Sequence, residues 1–252
     1  MSALMVLMVP QRYKNREGYS MVVPVTKAPF PNLTQDWEPQ PYAYITSELE
    51  ELIRIFHPFT QIVICQRDAN NVVDRYTQQG LENNLFGNGF LTIIRSDEGL
   101  APDFLPPLPG REAMVEDVRF IAELYSDLMG CNEIALRLEV LDKAMCPRFH
   151  VDRTGIRLVC TYQGQGTEWI NDERIDRDKP ELNSPGFADS ASSLLDERTR
   201  VEATAPFDIT LLKGSLWQGN PQRGAIHRSP AVAAGQSRVL LVMDAVWGSN
   251  PG

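Results

Sequence analysis

From Gly130 onward the sequence is a series of apolar, β-branched runs: NEIALRLEVL at 132–141, IRLVCTY at 156–162, FDITLLKGSLW at 207–217 and RVLLVMDAVW at 238–247. NEIALRLEVL alternates apolar and polar residues, the pattern of a strand with one buried face. Immediately upstream, REAMVEDVRFIAELYSDLMG (111–130) carries apolar residues at helical spacing and stops on a glycine, after the breaker-rich PDFLPPLPG. A chain that changes period in this way must pack strands from its second half against helix from its first. That predicts an α+β fold.

The rest of the N-terminal half is less regular. Residues 1–45 are rich in proline and aromatics and read as extended or looping. TSELEELIRIF, from Thr46, has the look of a capping box leading into a helix, and TQIVICQR (60–67) is compact and β-branched enough for a strand. The expectation is one domain over 1–252, with a mostly helical N-terminal layer over 1–130 supporting a β-rich core over 131–252. Within that core, about 170–206 is polar and bears proline and glycine, with eight acidic and five basic residues from Asn171 to Arg200. A structureless stretch of this length is either disordered or a lid.

Composition narrows the function. The 252 residues carry a formal charge of −9, which disfavours a broad nucleic-acid or anionic-membrane surface but leaves room for a local basic pocket. MSALMVLMVP lacks a basic flank and does not read as a signal peptide, and no apolar run is long enough to span a bilayer. The four cysteines, Cys65, Cys131, Cys146 and Cys160, contain no CxxC pair and are expected as reduced thiols, with the cytoplasm as the default compartment. The expected partner is a small-molecule or peptide substrate.

There are three histidines. His57, in FHPF, reads as structural. CPRFHVD ends in His150 and Asp152, which strand alternation turns to the same side, and GAIHRSP supplies His227 after a glycine-bearing turn. Arg238 opens the last apolar run, eleven residues beyond His227. Two imidazoles and one carboxylate make the facial triad of non-haem Fe(II) sites, which leaves coordination positions open. An arginine close by provides a fork for the carboxylate of an acidic co-substrate.

Competing readings remain open on the residues alone. His150 and Asp152 can be a hydrogen-bonded strand end, and Arg238 an ordinary salt-bridging residue. Cys146 and Cys160 lie near enough in sequence to suggest a Cys/His zinc site, although buried free thiols are the simpler reading of both. Arg228 follows His227 directly and is turned away by alternation. Arg148 and Arg157 are candidates for an anionic substrate or simply exposed strand arginines. Trp169, Trp217 and Trp247 read as core or rim aromatics. GQGTEW and GNPQRG are glycine turns without Walker or Rossmann context, and there is no GxSxG.

Taken together, FHVD, RLVCTY, GQGTEW, LLKGSLWQG, AIHRSP and SRVLLV occur in the order found in the Fe(II)/2-oxoglutarate-dependent dioxygenases. The β-rich half, about 132–247, resembles their distorted double-stranded β-helix, a jelly-roll or cupin-like architecture. The resemblance implies Fe(II) on His150, Asp152 and His227, and 2-oxoglutarate as co-substrate with its far carboxylate on Arg238. It also implies a co-substrate bond from Tyr162 by analogy with prolyl-hydroxylase-like members, and C–H hydroxylation with succinate as by-product. An aspartate at 152 fits hydroxylases rather than halogenases. CPRFHVD…CTYQGQGTEW…HRSP further resembles an uncharacterised bacterial family catalogued only as a domain of unknown function. The alternatives are a Zn(II)-binding or sensing protein without oxygenase activity, and a metal-free binder of cupin type.

Overall fold

A computed structural model of the chain describes residues 11–14, 20–23, 40–95, 97–172, 175, 199–220 and 223–247. The described chain is mostly β-sheet with few helices. In order it forms β1 (Gln11–Lys14), β2 (Ser20–Val23), β3 (Ala43–Thr46), a 3-10 helix (Leu49–Phe56), β4 (Ile62–Cys65), α1 (Asn71–Glu82), β5 (Gly89–Arg95) and a short 3-10 turn (Pro102–Phe104). There follow α2 (Arg111–Met129), β6 (Glu133–Leu141), β7 (Ile156–Gln163), β8 (Glu168–Ile170), β9 (Val201–Ala203), β10 (Ile209–Lys213), β11 (His227–Arg228) and β12 (Arg238–Val246). A seven-stranded sheet runs β3-β4-β10-β7-β12-β6-β5, a three-stranded sheet runs β11-β8-β9, and β1 pairs with β2 alone.

Alternation gives the large sheet two faces with different work to do. On one face, Val63, Cys65, Ile134, Leu136, Leu158, Cys160, Leu211 and Leu241 form a core with α1 and α2. On the other, Ile62, Ile64, Val159, Leu212, Leu240 and Val242 meet Trp169 of β8, Ala225 and Tyr42. The small sheet therefore lies across the second face, and the polar side chains of interest are held between the two sheets.

The helices follow from their ends. Asn70 caps α1, its side-chain oxygen accepting from the amides of Val72 and Val73 at 3.0 and 3.3 Å. α2 stops where Gly130 adopts φ +63°, a left-handed conformation that costs a glycine little. Within α2, Met114, Val118, Ile121, Ala122 and Tyr125 are buried, the stripe expected from its spacing.

The division into a helical half and a β half is not what the chain builds. β3, β4 and β5 all precede Gly130 and sit in the large sheet. Ile62 to Cys65 are buried without exception, as a central, β-branched strand requires, and GFLTIIR supplies the β5 edge. TSELEELIRIF folds as a 3-10 helix rather than a capped α-helix. Glu48 occupies the cap position without a side-chain capping bond, while the Thr46 hydroxyl accepts from the Glu48 amide at 3.0 Å. PRFHVD forms no full strand, only a single bridge at His150. Residues 173–174 and 176–198, the bulk of the expected lid, lie outside the described residues. The segment departs from β8 and returns into β9, which pair antiparallel with Ile170 opposite Val201.

Candidate metal centre

His227 lies on β11, opposite Trp169 of β8. On its other side it forms a β-bridge with His150, each residue donating its amide to the other's carbonyl at 3.0 Å. This brings the two imidazoles together, with ring centroids 4.6 Å apart. Asp152 is held two residues beyond His150 by the turn after β10: its carbonyl accepts from the Ser215 amide at 2.9 Å and the Ser215 hydroxyl at 3.2 Å. Gly214 makes the close approach possible, because a Cβ there would sit 2.3 Å from the Thr154 carbonyl oxygen.

Ligating atoms of His150, Asp152 and His227 all lie within 4.8 Å of one another, and among the described residues only this group has such a disposition. The rings are fixed in one tautomer. Nδ1 of His150 is 2.9 Å from the Arg148 carbonyl oxygen and Nδ1 of His227 is 3.0 Å from that of Ala225. A carbonyl can only accept, so each Nδ1 carries a proton, and in the neutral ring each Nε2 has its lone pair for a metal. Those Nε2 atoms face the carboxylate, at 3.3 Å from Oδ1 for His150 and 3.6 Å from Oδ2 for His227.

The two histidines titrate in opposite directions beside an ionised carboxylate. Burial pushes the His227 pKa down to about 4, ahead of the opposing pull of Asp152, so this imidazole is neutral. At His150 burial acts in the same direction, but the hydrogen bond and charge of Asp152 outweigh it and the pKa is raised. Burial also opposes ionisation of Asp152. Arg157 and the two histidines overcome it and hold the carboxyl well below the usual carboxylate range.

Arg157 stands across the sheet from Asp244, its partner in the β7–β12 register. Its Nε and Nη2 donate to Oδ1 and Oδ2 of Asp244 at 2.9 and 2.8 Å, while Nη1 donates to Oδ2 of Asp152 at 2.5 Å. Arg137 and Glu139 of β6 extend the network, paired with each other at 3.1 Å. Arg157 is therefore neither exposed nor free to meet a substrate.

Arg238 is 2% exposed and shares the inner face of β12 with Leu240, Val242 and Asp244. Its Nη2 donates to the hydroxyls of Thr161 and Thr167, both at 2.9 Å. No carboxylate pairs with it among the described residues, and its Nε is buried without a partner. Burial lowers its pKa to about 10, against the pull of Glu139. Gly164, at φ +85°, lets the backbone pass close by, since a Cβ there would stand 3.2 Å from the Arg238 Cα. The Trp169 indole N–H and the Thr210 hydroxyl are likewise buried without partners. Buried polar atoms rarely go unpaired, and these three lie between the same two sheets with donors left for a polar ligand.

Tyr162 does not belong to this group. Its hydroxyl donates to Oδ2 of Asp117 on α2 at 2.6 Å and its ring packs edge-on against Phe207. Alternation puts Thr161 and Tyr162 on opposite faces of β7, so the neighbouring threonine is the residue that reaches Arg238. Cys146 is exposed rather than buried. Cys160 is buried on the helical face, 3.7 Å from Arg67, with its thiol pushed up to about 12 by burial. Neither thiol belongs to the histidine–aspartate group. Arg228 points away as expected, bonded to Glu168 at 2.6 Å and lying over the Phe149 ring. His57 is buried at a structural position, its carbonyl accepting from Lys213 at 2.8 Å.

A family model described as a protein of unknown function, DUF1826, matches residues 46–244. No curated protein matches the sequence. Among solved structures, dioxygenase for auxin oxidation 1 from Arabidopsis thaliana, a complex with 2-oxoglutarate, is 13% identical with a TM-score of 0.47, over 82% of this chain and 93% of its own. The rice dioxygenase for auxin oxidation is 13% identical with a TM-score of 0.45, over 82% of this chain and 83% of its own. A Pseudomonas putida prolyl-4-hydroxylase is 10% identical with a TM-score of 0.40, over 80% of this chain and 96% of its own. None of these scores reaches 0.5, and the chemistry of the site rests on this chain's own residues.

Proposed function

The chain belongs to the DUF1826 family, and from its own geometry we propose that it is a non-haem Fe(II)/2-oxoglutarate-dependent oxygenase that hydroxylates a C–H bond. The facing of a large and a small sheet fits a distorted double-stranded β-helix. The observation that carries the reading is Arg238, a guanidinium 2% exposed, with no carboxylate partner among the described residues and a buried, unpaired Nε. An unpaired charge in a sheet interior costs several kcal/mol unless something else uses it. A dicarboxylate anchored on Arg238 would supply the missing anion.

His150 and His227 would hold the metal through Nε2 and Asp152 through a carboxylate oxygen. This donor set has no thiolate and leaves open positions, which favours Fe(II) over a closed structural zinc site. With 2-oxoglutarate and dioxygen, iron held there would supply the oxidising chemistry, with succinate and carbon dioxide as by-products. The protein's share is positional. The Nδ1–carbonyl bonds orient the imidazoles, and Thr161 and Thr167 steer one end of the Arg238 fork. The apolar wall of Val159, Leu240, Val242 and Trp169 limits water beside the reacting atoms. The substrate would be a small molecule or a peptide.

Anaerobic addition of Fe(II) and 2-oxoglutarate is expected to give a visible charge-transfer band, absent in His150→Ala and weakened in Arg238→Ala. Tight zinc binding with no band, and no succinate on admitting oxygen, would sink the oxygenase and leave a metal-binding or sensing role.

A further inference from the structure

The carboxylate of Asp152 is shared unequally. Oδ1 lies 3.3 Å from Nε2 of His150, while Oδ2, 3.6 Å from Nε2 of His227, accepts the shorter bond from Nη1 of Arg157 at 2.5 Å. The arginine cannot drift, because its other edge is clamped on Asp244 by bonds of 2.9 and 2.8 Å. The clamp is built into the sheet, as Arg157 and Asp244 are register partners on adjacent strands. All three side chains are largely buried, at 12% exposure for Arg157 and 15% for each aspartate, so solvent screens them weakly.

We propose that Arg157, aligned by Asp244, is a positioning residue that reserves Oδ2 of Asp152, so that the aspartate presents a single oxygen to the metal and its charge is partly offset. This deepens the metal-site reading and rests on it. Two consequences follow from electrostatics. One-oxygen ligation keeps a coordination position open that a two-oxygen carboxylate would fill. The cation behind the ligand also makes the carboxylate a poorer donor, which favours Fe(II) over Fe(III).

The test is a mediated redox titration of the full-length, iron-loaded protein, with thermal unfolding of each variant alongside. Arg157→Gln is expected to lower the Fe(III)/Fe(II) potential, corresponding to a gain of roughly tenfold or more in preference for Fe(III), the scale of one partly buried charge near the ligand. Arg157→Lys, which keeps the charge, is expected to stay near wild type. Asp244→Asn is expected to raise the potential, because it leaves Arg157 less neutralised. A structural role alone would lower the melting temperature and leave the potential unmoved in all three. That result overturns the proposal. If Arg157→Gln fails to fold, Asp244→Asn decides: a raised potential supports the proposal and an unchanged one overturns it. A wild type that takes up no more Fe(II) than His150→Ala removes the metal site and the proposal together. A wild type that binds iron but never forms succinate removes the oxygenase reading alone.

Discussion

His150 and His227 are joined backbone to backbone, each amide 3.0 Å from the other's carbonyl, and their rings stand 4.6 Å apart. The two halves of the proposed metal site, far apart in sequence, are thus brought together by main-chain bonds that do not depend on the side chains. Removing either imidazole should abolish metal binding without unfolding the protein. His150→Ala and His227→Ala are expected to melt within a few degrees of the metal-free wild type. A divalent ion such as Mn(II) at a hundred times its dissociation constant should stabilise wild type by about 2.7 kcal/mol and the variants not at all. Thermal unfolding with and without the ion checks both.

Arg238 should trade stability against function. Its desolvated guanidinium has two threonine hydroxyls for partners and an orphaned Nε. Replacing it with methionine removes a buried charge and keeps much of the volume, so Arg238→Met is expected to leave the metal-free protein as stable as wild type or more so. The same change should weaken 2-oxoglutarate binding about tenfold or more, the loss of a charge-assisted pair. Isothermal titration of the iron-loaded protein and chemical denaturation of the metal-free protein read the two effects separately.

Tyr162 tests the two-faced sheet. Its hydroxyl serves Asp117 at 2.6 Å, and the same carboxylate takes Arg67 at 2.9 Å. Tyr162→Phe leaves Asp117 short of a donor and should cost about 1–2 kcal/mol in stability. It should leave 2-oxoglutarate affinity unchanged, whereas Thr161→Val, one residue away on the opposite face, should lower it. A binding titration of the two variants side by side distinguishes the faces.

These contrasts mark how far the sequence could be read. The long strands and α2 were legible because their periods persist: β6, β7 and β12 fall on the runs at 132–141, 156–162 and 238–247, and α2 ends at its glycine. β5 is not legible because GFLTIIR is an edge strand whose apolar residues, such as Leu91 and Ile93, stay partly in solvent and blur the alternation. The 3-10 helix was missed because local spacing does not separate it from an α-helix over so short a stretch. The convergence of His150, Asp152 and His227 could be anticipated from residue types and order. The Arg157–Asp244 clamp could not, because it depends on the register between β7 and β12, a long-range property that no local pattern encodes. Resemblance points to Tyr162, whereas counting alternate residues from Arg157 selects Thr161.

Lys213 gives the fold a pH dependence of its own. It is 2% exposed, and its ammonium donates to the His57 carbonyl at 2.8 Å with no carboxylate paired to it among the described residues. Burial, with a smaller contribution from Arg223, lowers its pKa from 10.5 to about 7. Between those values the unfolded chain holds the proton and the folded protein does not, so raising the pH favours folding. Below about 7 both states are protonated and the fold bears the full cost of the buried charge. Above 10.5 neither is protonated and the cost is gone. Lys213→Met should therefore stabilise the protein at pH 6, and the advantage should shrink steadily as the pH rises toward 10. The difference between wild-type and variant denaturation midpoints across that range isolates the lysine from cysteines and tyrosines that titrate in the same window. A difference that stays constant with pH would mean that Lys213 remains charged in the fold.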